Sequence, residues 1–111
     1  MIQSISDIIT NSSSEVFVIS TNKHAEVASF IKDICDIFGV DMDDIMEFES
    51  ATKDGRVGYD LKPKKGDLII YSTGDNTIPW AIIHLIEELD WCHTPKVETL
   101  NIKNVIRQHL G

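Results

Sequence analysis

The side chains that nucleophilic catalysis most often uses stand at the two ends of this sequence. A hydroxyl, a carboxylate and an imidazole together can activate a nucleophile. A serine-rich stretch near the start ends in an acid, and a histidine stands close to the last residue; the set consists of Ser12, Ser13, Ser14, Glu15 and His109. No nucleophile elbow surrounds the serines. The pattern therefore favours a capped turn, with catalysis as the alternative.

A second loop has the composition of a binding loop at a helix N-terminus. Glycine permits close backbone approach, and the free N–H groups of a helix N-terminus attract anions. Joined to a neighbouring turn, the loop gives a candidate ligand site made of Ser72, Thr73, Gly74, Asp75, Asn76, Thr21 and Asn22. Asp75 would repel an anion, and the loop has no lysine of the P-loop kind. A capped strand-to-helix turn is the competing interpretation.

Acidic residues are concentrated in the first half of the chain. The formal net charge is −8; residues 1–60 hold twelve acidic and four basic residues, whereas residues 61–111 hold six of each. Such a field repels phosphate backbones, so we expect no direct nucleic-acid binding. It suits a solvated face, a basic partner, a divalent cation or mimicry of nucleic acid. The density is highest at Asp41, Asp43, Asp44, Glu47 and Glu49.

The sequence predicts neither a metal nor a cofactor. Asp43 and Glu47 would share one face of a helix, but the stretch lacks the glycine and the spacing of an EF-hand. Cys35, Cys92 and His93 are soft ligands without a C-x-x-C pair.

An aromatic residue and a histidine form a further candidate site, an interaction surface. Trp80 and His84 are four residues apart, so they share one face of a helix. An exposed Trp/His face suggests a partner surface. The alternative is that the tryptophan covers one end of the core.

These candidate sites depend on elements that the hydrophobic periodicity predicts. Residues 40–50 fit a helix or a strand, and residues 104–110 fit a short helix or a tail. Strands are predicted at 15–20, 57–61, 67–72 and 96–102, and helices at 23–38 and 79–90.

The order strand–helix–strand–strand–helix–strand predicts an α+β fold, a two-layer sandwich of ferredoxin-like type, in one domain covering residues 1–111. We expect both helices on one face of the sheet. We also expect the first and third strands to be parallel neighbours, which would bring the loops at 20–22 and 72–76 together. The last strand should run antiparallel beside the first, which would bring His109 near residues 12–15.

Three short stretches carry a family resemblance: SDIITNSSSEVF at 6–17, GDNTIP at 74–79 and HLG at 109–111. Together they resemble small proteins encoded by tailed bacteriophages and prophages of gut bacteria. The resemblance covers about a quarter of the chain and implies no activity. It implies that the N-terminal loop, the glycine loop and the C-terminal tail belong together, and that the protein is a phage accessory or host-interaction protein.

Composition narrows the class of protein. No apolar run approaches the roughly 18 residues of a membrane span, and the first residues lack the layout of a signal peptide. Two cysteines give no disulfide framework, so we expect a reducing, cytoplasmic setting. The phage resemblance implies that this is the cytoplasm of a bacterial host cell. We predict an acidic accessory domain that binds a protein and has no catalytic activity. Its partner would be host-encoded, and a homodimer is a further option. The alternatives are a small enzyme or ligand-binding protein that uses residues 72–76, and an acidic nucleic-acid mimic.

Overall fold

Four strands form one antiparallel sheet in the described part of the chain. The computed structural model describes residues 14–73 and 80–110, with only the main chain of Thr73 and Trp80. The strands are β1 (Ser14–Ser20), β2 (Met46–Ser50), β3 (Leu68–Thr73) and β4 (Asn104–His109). They lie in the order β2-β3-β1-β4, and every neighbouring pair is antiparallel.

The helices of the described residues cover one face of this sheet, as the sequence predicts. They are α1 (His24–Ile37), the single-turn α2 (Met42–Ile45), α3 (Trp80–Glu87) and the single-turn α4 (Pro95–Glu98). The apolar stripes of α1 and α3 pack on alternate residues of β1 and β3, because successive side chains of a strand point to opposite faces. The resulting core contains Phe17, Ile19, Leu68 and Ile70 from the sheet, Val27, Ile31 and Cys35 from α1, and Ile82, Ile83 and Ile86 from α3.

The prediction that β1 and β3 run parallel is wrong. Helix α1 returns the chain to the end of the sheet where β1 began, so β2 runs in the same direction as β1. β3 pairs antiparallel with β2 and lies between β2 and β1, and it therefore opposes β1. The C-terminal ends of β1 and β3 consequently lie at opposite ends of the sheet.

The last strand is β4, so the prediction of a strand at residues 96–102 is wrong. Pro95 occupies the first turn of α4, where proline is favoured, and the hydroxyl of Thr94 accepts a hydrogen bond from the Val97 N–H at 3.3 Å. These two residues start a helix despite the alternating pattern that follows them. The strand then forms at 104–109, antiparallel to β1 as expected.

The segment from 51 to 67, called here the covering segment, lies across the second face of the sheet. It has only the isolated bridge between Val57 and Leu61 instead of the predicted strand at 57–61. Tyr59 binds the C-terminal residues twice, because its N–H donates to Gln108 Oε1 at 2.7 Å and its hydroxyl to the Leu110 carbonyl at 2.5 Å. Beneath the segment lies a second apolar cluster of Val16, Ile69, Tyr71 and Leu110, with Ala51, Val57 and Leu61 packed against it.

We predict that Gly58→Ala is destabilising and that Gly55→Ala is not. Gly58 has a φ of 61°, and a Cβ there would overlap Gln108 Oε1 and lie 3.1 Å from Val16 Cγ1. The left-handed backbone costs a non-glycine residue about 1–2 kcal/mol, and overpacking adds about 1–3 kcal/mol. Gly55 has no atom within 4 Å of such a Cβ. Urea unfolding of both variants measures the difference, and equal stabilities would show that the covering segment is not tightly packed.

Tyr71 belongs to the second apolar cluster, and the ionisation of its hydroxyl makes the stability of the protein depend on pH. Burial, and then the charge of Glu49 and its hydrogen bond, raise the pKa of the Tyr71 hydroxyl. In the unfolded chain a tyrosine loses its proton near pH 10, so the native state binds more protons above that pH. Stability from this group is complete below about pH 10 and is lost as pH rises through the folded pKa. We expect Tyr71→Phe to lose stability less steeply between about pH 9 and 11 in denaturant titrations; an identical slope would argue against a buried, neutral Tyr71.

Candidate functional site

A row of polar side chains crosses three strands at one end of the sheet. Glu15 on β1 lies directly opposite Ser72 on β3 and directly opposite His109 on β4. Phe17 and Ile19, at alternate positions of β1, belong to the helix-side core, so Glu15 also points to the helix side. We call Ser72, Glu15 and His109 the polar row.

The carboxylate of Glu15 holds the imidazole of His109. Glu15 Oε2 is hydrogen-bonded to His109 Nδ1, and the two side chains are 4% and 57% exposed. A buried carboxylate needs hydrogen-bonding partners to offset its desolvation. A carboxylate on Nδ1 also fixes the tautomer of a neutral imidazole, so its lone pair is on Nε2. One ring nitrogen of His109 is therefore hydrogen-bonded to a strand residue, while more than half of the side chain is exposed to solvent.

Arg107 joins this pair to helix α3. Its Nη1 lies 3.2 Å from Glu15 Oε1, and its Nε lies 2.8 Å from Glu87 Oε2. A guanidinium suits this position because its charge can face two carboxylates at once. The contact with Glu15 Oε1 is an ion pair without a hydrogen bond. Glu87 is in turn 3.6 Å from His84 Nδ1. Two carboxylates and one guanidinium give the group a charge of −1 when both imidazoles are neutral.

Ser72 is the unusual member of the polar row. The residue is fully buried, and its hydroxyl has no hydrogen-bond partner among the described residues. Most buried polar groups are hydrogen-bonded, because leaving one unpaired costs about 1–3 kcal/mol. In the row, the Glu15 strand lies between Ser72 and His109, so the order is hydroxyl, carboxylate, imidazole. This differs from a catalytic triad, in which the imidazole lies between the other two.

The expected meeting of Glu15 and His109 is confirmed by their hydrogen bond. Ser14 pairs with Thr73, and its carbonyl accepts a hydrogen bond from the Leu110 N–H at 2.9 Å. The described parts of two of the three stretches that carry the phage resemblance, residues 14–17 and 109–110, are thus neighbours at one end of the sheet, and the third stretch, 74–79, lies outside the described residues. Five predicted site residues lie outside the described residues: Ser12, Ser13, Gly74, Asp75 and Asn76.

The predicted grouping of Thr21 and Asn22 with Ser72 is wrong, because antiparallel strands place them at opposite ends of the sheet. The Thr21 hydroxyl donates to the Leu100 carbonyl at 2.6 Å, and Asn22 Oδ1 accepts from Asn101 Nδ2 at 2.8 Å. Both residues therefore support the turn before α1. They also line a cleft of about 350 Å³, which includes Lys65, Lys103, Gly66 and Asp67.

A second surface was not predicted as a site. Ile37 and Phe38, at the end of α1, are 77% and 46% exposed. The residues on either side of this pair in the chain line an open groove of about 520 Å³. Its lining includes the exposed acids Asp36, Asp41 and Asp43, and also Lys32, which is ion-paired with Asp36 at 3.0 Å. We call Ile37, Phe38 and the three acids the acidic apolar tip. The predicted helix at 23–38 includes Phe38, whereas the observed helix ends at Ile37, and Gly39 then turns the chain with a φ of 69°.

Trp80 and His84 remain a predicted interaction surface. His84 is exposed on α3, with 60% of its side chain accessible. Trp80 begins the helix, and its side chain lies outside the described residues.

No family model, curated protein or solved structure matches this chain. In the described ranges, every helix falls short of the length and apolarity that crossing a bilayer demands. Nor do three or more His, Cys, Asp or Glu side chains of those ranges come together as a metal site.

We predict opposite effects of two substitutions in the polar row. Ser72→Ala removes a buried hydroxyl that lacks a partner, so stability should be unchanged or higher by up to about 1 kcal/mol. Glu15→Gln leaves a buried amide beside Arg107 and should cost about 2–4 kcal/mol. Urea unfolding at pH 7 compares the two variants. A larger loss for Ser72→Ala would mean that its hydroxyl has a stabilising partner.

Proposed function

We propose that the protein is a small acidic accessory domain that binds a basic protein partner through the acidic apolar tip. One observation carries this proposal: two large apolar side chains, Ile37 and Phe38, are exposed, and their neighbours in the chain line a groove that contains three carboxylates and one lysine. Exposed apolar groups rimmed by polar residues are typical of protein-binding surfaces.

The apolar side chains supply the affinity in this proposal. Burying one such side chain in a partner is worth about 1.5–3 kcal/mol. Ile37 is the last residue of α1 and Phe38 is its C-cap, so both are exposed at the same end of the helix and one partner can contact both. Anchors of this kind, with surrounding contacts that exclude water, account for most of the energy in protein interfaces.

The carboxylates determine which partners are favoured. Asp41 and Asp43 are exposed beside the groove, in the half of the chain that contains the whole excess of negative charge. Complementary charge steers association and rejects partners of like charge. The expected partner therefore presents lysine or arginine around an apolar or aromatic contact, and the interaction weakens in high salt.

We also propose a biological setting and a finer fold. The resemblance to phage and prophage proteins supports an accessory protein that meets a host-encoded partner in the bacterial cytoplasm. The element order, with the two single-turn helices set aside, and the antiparallel order β2-β3-β1-β4 support a ferredoxin-like arrangement.

A peptide-display experiment tests the proposed interaction. A random 12-residue library is selected on the full chain, and binding of the enriched peptides is measured by fluorescence anisotropy. We expect basic peptides with an aromatic or branched aliphatic residue. Their affinity for the Ile37→Ser/Phe38→Ser double variant should be lower by about tenfold or more, which corresponds to about 1.4 kcal/mol of binding free energy. Their affinity for the wild type should also fall as the salt concentration rises from about 0.1 to 0.5 M.

Trp91→Ser is the matched control, because Trp91 is 77% exposed at a distance in sequence from the tip. Circular dichroism establishes that the three proteins are folded. If the enriched peptides bind the double variant and the wild type equally, or if they carry no excess of basic residues, the acidic apolar tip is not the binding surface.

A further inference from the structure

We propose that His109 is the general base of a hydrolytic site for neutral, reactive carboxylic esters, with Glu15 as its positioning residue. This site is separate from the acidic apolar tip, so the two proposals can fail independently. It rests on the contacts of the polar row and of Arg107.

The contact with Glu15 determines which nitrogen of a neutral His109 ring can accept a proton. Glu15 is almost fully buried and is hydrogen-bonded to His109 Nδ1. A neutral imidazole held in this way carries its second proton-accepting site at Nε2. The side chain of His109 is 57% exposed, so water and a small ester can approach the ring. When Nε2 takes a proton, the adjacent carboxylate stabilises the imidazolium, as the acid does in hydrolases.

Arg107 restrains the carboxylate of Glu15. Its guanidinium contacts Glu15 from one side and Glu87 of α3 from the other. Glu15 is thereby fixed by β4 and by helix α3, which limits the positions available to the imidazole. Preorganised groups of this kind need no rearrangement during proton transfer.

Charge selects the class of substrate. Glu15, Glu87 and Arg107 together carry −1, and the whole chain carries −8. A phosphate ester would meet repulsion from both, whereas an uncharged ester would not. General-base catalysis accelerates a reaction about 10²–10⁴-fold. An acceleration of this size makes the hydrolysis of a reactive ester measurable, whereas the much slower hydrolysis of an amide needs a larger one.

The reaction balances without another reagent. A water molecule gives one proton to His109 Nε2 while its oxygen forms a bond to the ester carbonyl carbon, and the carbonyl oxygen becomes negative. The intermediate then re-forms the C=O bond and breaks the bond to the leaving oxygen, which takes the proton back from Nε2. The products are a carboxylic acid and an alcohol. Ser72 is not the nucleophile, because it is fully buried and the Glu15 strand separates it from His109.

Hydrolysis of p-nitrophenyl acetate by the full chain tests the proposal. We expect a rate at least tenfold above that of free imidazole at equal concentration and pH. His109→Gln should reduce the protein-catalysed rate at least tenfold. His93→Gln is the matched control, because His93 is exposed and lies on a different segment, after α3; it should react like the wild type. p-Nitrophenyl phosphate should not be hydrolysed.

The role of Glu15 is tested by a kinetic quantity that would not change if the residue only stabilised the fold. Glu15→Gln, in fractions shown to be folded by circular dichroism, should lower kcat and leave KM close to the wild-type value, because the imidazole loses the group that orients it. Glu15→Asp should recover part of kcat. A His109→Gln variant as active as the wild type, or a His93→Gln variant that loses as much activity as His109→Gln, would overturn the proposal. An unchanged kcat in Glu15→Gln would remove Glu15 from it.

Discussion

The structure depends on β1, a strand that is hydrogen-bonded along both edges and covered on both faces. β3 and β4 pair with its edges, helices α1 and α3 cover one face, and residues 51–67 cover part of the other. Burial on both sides explains the near-continuous apolar run at Val16–Ile19, of which each residue is at most 6% exposed. A sheet with only two helices would leave one face of this strand in water, so the long β2–β3 connection completes the core.

The same burial constrains the polar residues at the start of the strand. Glu15 occupies a buried position of the kind that is usually apolar, and its carboxylate contacts Arg107 and His109 of β4. These contacts attach the edge strand to the centre of the sheet by charge as well as by main-chain hydrogen bonds. Ser72, opposite Glu15 on β3, remains without such a partner among the described residues. Buried polar groups without a hydrogen-bond partner are commonly found at functional sites.

The parts of the fold that follow strong periodicity could be predicted from the sequence. Strands β1 and β3 and helices α1 and α3 were expected within one to three residues of their observed limits, because each shows a clear period of two or 3.6. The final strand could not be placed, because 96–102 alternates like a strand while Thr94 and Pro95 begin a helix there. Arg107 was missed as a site residue for that reason. The direction of β3 depends on a contact far along the chain, which a local pattern does not contain.

The long separation between Glu15 and His109, 94 positions along the chain, has a consequence for synthesis. A ribosome makes β4 more than eighty codons after β1, so the apolar strand β1 emerges with both edges unpaired, and one edge stays unpaired until β4 follows. Such edges invite association with other chains until the proper neighbour arrives. Burying the unpaired carboxylate of Glu15 in a wrong assembly is costly, so the residue that holds the histidine in the native sheet also disfavours incorrect pairing of β1.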